Sequence, residues 1–154
     1  MGKKMSRRIF AVHNIQALLL SLFFSLFPSC SEQPVYPDPP RTGRDIVMDI
    51  NELPSENPLF FTYHYHGKKI SFFVVRVQNT ALSFLDACMG CYTKRRGYRF
   101  DNGQVICRDC SVKYPVSEME KGFGSCVPIR IAGHVQDGKY YIPLSLLEAQ
   151  ADKF

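Results

Sequence analysis

The sequence predicts a mainly β fold: a small antiparallel sheet or partial barrel, carrying a two-knuckle cysteine insert and finished by a short C-terminal helix. Three observations lead there. Runs of aromatic and β-branched residues such as "LFFTYHYHGKKISFFVVRV" (59–77) fill the body of the chain. Turn-forming pairs at Asn102-Gly103 and Asp137-Gly138 punctuate these runs. Two Cys-x-x-Cys pairs, Cys88/Cys91 and Cys107/Cys110, stand fifteen residues apart.

The first thirty residues read as an address. Lys3, Lys4, Arg7 and Arg8 precede an apolar run from about Ile15 to Phe27, and Ser29 lies just before Cys30. That is the layout of an export signal, and the run falls short of the roughly 20 apolar residues a membrane span needs. An uncleaved anchor reaching back to Ile9 is the alternative. Ser6-Arg7-Arg8-Ile9-Phe10 matches the twin-arginine pattern for export of folded cargo, whereas the Leu/Phe-rich core suits the general route. Cys30 occupies the place of a lipoprotein's acylated cysteine, with ordinary cleavage near Ser29 as the other reading. Residues 1–30 are therefore expected to send the body to the cell envelope, on the periplasmic or cell-surface side, and to tether it to the membrane by lipid or anchor. "SEQPVYPDPPRTGR" (31–44), with four prolines, reads as an extended linker, and the domain proper as 45–154.

Charge narrows the partners. The formal net charge is +5, but four of the cations lie in the first thirty residues, which contain no acid. From Ser31 onward there are 15 basic and 14 acidic residues. A near-neutral body lacks the dense basic surface that displaces counterions from nucleic acid, so no nucleic-acid partner is expected. There is no Ser-His-Asp arrangement, glycine-rich phosphate loop or well-spaced carboxylate pair. The expectation is a binding or redox protein rather than an enzyme, with no small-molecule substrate identified.

Element by element, "DIVMDI" (45–50) is a short apolar run, and Pro54 and Pro58 bracket a turn. The run 59–77 is a hairpin, with Leu59, Phe61, Tyr63 and Tyr65 on one face and a turn at His66-Gly67-Lys68. "NTALSFLDA" (79–87) is a third strand leading into Cys88. "GYRFDNGQVIC" (97–107) is a second hairpin, and "PIRIAGHVQDGKYYIPL" (128–144) reads as two short strands around Asp137-Gly138. "PLSLLEAQADKF" (143–154) is a terminal helix entered through Pro143.

The cysteines carry the chemistry. Each Cys-x-x-Cys loop can aim two thiolates at one ion, and two loops complete a tetrahedron, so Cys88, Cys91, Cys107 and Cys110 are the candidate metal ligands. Zinc, a single iron and an iron–sulfur cluster all suit four thiolates. A structural zinc ribbon, serving a binding module, is the plain alternative. An exported chain also admits disulfides, an exchangeable dithiol or a Cu(I) carrier, although five body cysteines cannot all pair. Cys126, separated from Cys110 by fifteen residues, is a candidate additional ligand, a reserve thiol or a small buried apolar residue. Asp86 reads equally as a turn former or as an acceptor for the knuckle backbone that tunes the ligands. His64 and His66 are expected at the surface. Lys94-Arg95-Arg96, with Arg99 and Arg108, makes the insert locally positive.

Taken in order, "FFTYHYHGKKISFFVVRV", "DACMGC", "GYRFDNGQVICRDC", "YPVSEM" and "GSCVPI" resemble the FtrD-like family of exported or membrane-bound iron–sulfur proteins found beside iron-permease systems. The likeness runs from about residue 45 to the end. It implies that Cys88, Cys91, Cys107, Cys110 and Cys126 are the family's cysteines, with Asp86 and Gly97-Tyr98 as motif residues around them. The family's late Gly-Gly-Cys-Asn-Pro appears here as Gly124-Ser125-Cys126-Val127-Pro128. The resemblance implies an iron or iron–sulfur centre, with electron transfer or iron acquisition as the role and an iron permease or redox protein as partner.

Overall fold

A computed structural model describes residues 33–154. The expected export signal, including Cys30, lies outside the described residues.

The central hairpin is β3 (Leu59–Tyr65) and β4 (Lys68–Val77), paired in register from Leu59 opposite Val74 to Tyr65 opposite Lys68. His66 and Gly67 both take positive φ, 46° and 75°, so the turn has the handedness that matches strand twist. β4 pairs next with β5 (Thr80–Cys88), which pairs with β9 (Pro128–Ile131), giving the order β3-β4-β5-β9. The unbroken apolar stretch of β4 has a structural cause: this sheet is covered on both faces. Leu59, Phe61, Tyr63 and Tyr65 share one side with Ile70, Phe72, Val74 and Leu85. Phe60, Phe73, Val75 and Phe84 face the other side, where the cysteines lie. Each fully buried phenylalanine contributes about 1.5–3 kcal/mol to holding these layers together.

On the first side lies a second sheet, β1 (Arg41–Thr42), β2 (Asp45–Asp49), β11 (Lys139–Pro143) and β10 (His134–Gln136), in that order. Ile46, Met48, Tyr140 and Ile142 supply its share of the core. A short helix, α1 (Leu144–Glu148), follows Pro143 and buries Leu144 and Leu147, and a single 3-10 turn, Ala151–Lys153, ends the chain. On the cysteine side lies a three-stranded sheet, β6 (Tyr98–Asp101), β7 (Gln104–Cys107) and β8 (Lys113–Pro115). All the named strand pairs are antiparallel, as expected, but they form three sheets rather than one.

Two segments differ from the sequence reading. Residues 128–144 form three strands, because the chain leaves the central sheet after Ile131 and joins the outer one at His134. Gly133 permits the crossing: it lies so close to the Tyr140 ring that no Cβ would fit. The Tyr140 hydroxyl meets Ser83 Oγ at 2.8 Å, and Ser83 Oγ donates to Ile131 O at 2.9 Å, which ties the two sheets at the crossing. Tyr140→Phe removes that tie and is expected to lower stability by about 1 kcal/mol in denaturant unfolding, with the slope unchanged.

The proline-rich segment is the second difference. From Gln33 it lies along the domain as a strap: Tyr36 N donates to Thr62 Oγ1 at 2.9 Å, Thr62 N to Pro37 O at 3.1 Å and Val47 N to Pro40 O at 3.2 Å. The Tyr36 ring packs on Phe60 at 5.0 Å between centroids. Its prolines keep it extended, and buried Thr62 gives it a reason to dock.

Candidate metal centre

Three turns bring the thiols together. Cys88 ends β5, and Cys91 N closes the first knuckle on Cys88 O at 3.2 Å. Cys107 ends β7, where Ser111 N reaches Cys107 O at 3.0 Å and Cys107 N reaches Val112 O at 2.9 Å. Cys126 ends a tight turn in which Phe123 and Cys126 exchange backbone bonds of 3.0 Å in each direction. That third turn is pinned to the first knuckle. Met89 N donates to Val127 O at 2.9 Å, and Gly90 lies so close to Ser125 that a Cβ there would sit 2.7 Å from the Ser125 carbonyl. The Tyr114 hydroxyl donates to Cys126 O and fixes the turn from below.

The result is a set of four sulfurs, on Cys88, Cys91, Cys107 and Cys126, all within 4.8 Å of one another. Cys88, Cys107 and Cys126 are buried and Cys91 is half-buried. Cys110 is exposed and outside this mutually close set, although its thiol interacts with those of Cys126, Cys107 and Cys91. The structure thus gathers five thiols and places Cys126, not Cys110, in the tightest group of four.

Burial and the neighbouring thiols raise the Cys91 thiol well above its ordinary value. Burial likewise raises Cys126, against the nearby Tyr114 hydroxyl, which pulls the other way. Burial also bears on Cys110, but bonds from Val112 N and the nearby thiols outweigh it and leave that thiol lowered. Crowded, desolvated sulfurs cannot all carry charge unless a cation shares the site. A single ion bound at about 2.3 Å places tetrahedral sulfurs about 3.8 Å apart, inside the spread seen here. The donor set therefore fits a thiophilic metal. A second observation agrees: the buried Tyr98 hydroxyl, beside these thiols, has no hydrogen-bond partner among the described residues.

Asp86 is 1% exposed and holds the base of the insert. Its Oδ1 accepts from Tyr98 N at 2.5 Å, and Gln33 Nε2 donates to Oδ2 and to Asp86 O, both at 2.7 Å. Burial pushes its carboxyl up to about 6, partly offset by Gln33, Tyr98 N, Arg108 and Tyr36. Gly97 makes the contact feasible: its φ is +66°, and a Cβ there would fall 2.5 Å from Oδ2. The sequence suggested Asp86 as an acceptor for the knuckle backbone; its donors are instead the first residue of β6 and the Gln33 side chain.

The basic run is partly spent on structure. Lys94 Nζ and Arg96 Nη1 lie 3.1 and 3.8 Å from Asp109, so the two knuckles are bridged by charge. Lys94 in particular holds the Asp109 carboxyl below its usual range. Arg99 pairs with Asp101, and Arg108 Nε donates to Tyr98 O at 2.8 Å. His64 and His66 are exposed, with His64 Nε2 3.8 Å from Asp38. Gln33, Tyr36, Tyr98 and Tyr114 are the site residues that sequence reasoning left without a role. Only the Gly97-Tyr98 motif signalled any of them.

A small, mainly β domain built around a buried cluster of cysteines is a metal-binding protein in its architecture. The chain belongs to the FtrD-like family, described as membrane iron–sulfur containing proteins, whose model matches residues 53–154. No match is found among curated proteins or solved structures. No helix among the described residues is long and apolar enough to cross a membrane.

Proposed function

We propose that this protein is an exported, membrane-tethered carrier of one iron or iron–sulfur centre that passes electrons in iron acquisition at the cell envelope, and that it is not an enzyme. The carrying observation is the group of four sulfurs within 4.8 Å, on Cys88, Cys91, Cys107 and Cys126, with Cys110 at its outer edge. Four thiolates would supply a centre of low reduction potential. The family description favours iron over zinc. Met89 in the first knuckle, with Phe123 and Val127 around the third turn, are 55%, 71% and 37% exposed and make an apolar rim on the turns that carry the thiols. Such a rim suits brief docking of a redox protein or an iron permease.

The test is metal analysis and an absorption spectrum on protein purified without oxygen. About one iron centre per chain, with thiolate-to-iron absorption, is the expected outcome. Zinc with no chromophore would leave a structural ribbon and sink electron transfer. Metal-free protein with a reversible Cys88–Cys91 disulfide would point to thiol exchange instead.

A further inference from the structure

We propose that Tyr98 is a positioning residue of the metal centre, its hydroxyl donating a hydrogen bond to a sulfur of that centre. The inference rests on the reading that the cysteine cluster holds a metal.

Tyr98 is 0% exposed, and its hydroxyl is one of two buried side-chain polar atoms without a partner among the described residues. It stands directly opposite Cys107 in the β6–β7 hairpin and packs in the same core as Cys88, Cys107 and Cys126. Beyond burial, the groups whose electrostatics bear most on its hydroxyl are Cys126 and Cys88, followed by Tyr114 and Cys107. The comparison with Tyr114 is informative. The two rings meet edge to face at 6.3 Å, yet Tyr114 has a protein acceptor at Cys126 O and Tyr98 has none.

An unpaired buried hydroxyl costs about 1–3 kcal/mol, and native folds keep few of them. A neutral thiol is a poor acceptor, but a metal-bound thiolate or sulfide carries charge and accepts strongly. Metal binding would therefore satisfy Tyr98, and Tyr98 would stabilise the metal-loaded state. A donor aimed at sulfur also favours the more negative, reduced form of a redox centre, which raises its potential.

Tyr98→Phe tests this, because it keeps the ring and removes only the hydroxyl. Wild type and variant are prepared without oxygen, their metal content is measured, and both are challenged with a chelator. The loaded variant is expected to give up metal at about tenfold lower chelator concentration, with a shifted thiolate-to-metal absorption band. With iron bound, its reduced form is about tenfold less favoured, about 59 mV for a one-electron couple. The metal-free variant is expected to be at least as stable as metal-free wild type, since a stranded polar atom has gone. A purely structural tyrosine would instead lower metal-free stability and leave the spectrum unmoved. Wild-type chelator resistance and spectrum in the variant overturn the proposal, whereas a wild type that takes up no metal overturns the functional reading beneath it.

Discussion

Cys126→Ala is expected to strip the metal from the protein, whereas Cys110→Ala leaves it in place. The spacing of two Cys-x-x-Cys pairs predicts the reverse, so the two variants give opposite answers to one question. The structural reason lies in the third turn. Cys126 is buried among the other ligands, and its carbonyl is held by Tyr114 while the neighbouring backbone is held by Met89. Cys110 is exposed at the end of the second knuckle, where it interacts with the cluster from outside. Structural thiolate sites bind with roughly 10–16 kcal/mol in all. Losing one of four ligands should therefore cost on the order of 3 kcal/mol, about a hundredfold in affinity. Cys107→Ala should match Cys126→Ala, because Cys107 is buried and ends β7. Metal retained per chain after a chelator challenge, under anaerobic conditions, measures the contrast. Retention by Cys126→Ala with loss from Cys110→Ala would restore the paired-knuckle assignment.

How much of this was legible in the sequence depends on the range of the interactions. The β3–β4 and β6–β7 hairpins were readable because each is a local event, set by alternation and a turn pair with positive φ. The continuous run of β4 was readable as a strand but not as the wall between two cores, since one covering layer joins residues 41–49 to 134–154 and the other comes from residues 98–115, all distant from β4 in the chain. The break at Gly133 was hidden because a glycine in a strand-like run does not say what approaches it. Here it is Tyr140, seven residues on and in another sheet. The strap at 33–40 looked like a linker because its composition is that of one, and only Thr62 and Asp86, far along the chain, show why it docks. At the site, the knuckle pairs were visible by spacing. The place of Cys126 was not, because it depends on Gly90 meeting Ser125.

Asp86→Ala is expected to destabilise the domain by about 3–5 kcal/mol, a large fraction of the 5–15 kcal/mol that keeps a domain folded. The carboxylate is the acceptor for Tyr98 N and Gln33 Nε2, so its removal strands the buried Tyr98 N–H and leaves the half-buried Gln33 amide without that partner. It also releases geometry. Asp86 lies two residues before Cys88, and Tyr98 pairs with Cys107, so one hydrogen bond ties the end of β5 to the hairpin that carries the second knuckle. Gly97→Ala attacks the same contact from the other side. Its left-handed backbone costs an alanine about 1 kcal/mol, and the new Cβ would be driven into the carboxylate. A total of about 3 kcal/mol is expected in the wild type. In the Asp86→Ala background there is no carboxylate to meet, so Gly97→Ala should cost only the backbone part, about 1 kcal/mol. The four proteins form a double-mutant cycle, read by denaturant unfolding, with a coupling of about 2 kcal/mol between the two positions. Strictly additive costs would show that Gly97 is glycine for its turn alone, and that Asp86 is not the pin between the knuckles.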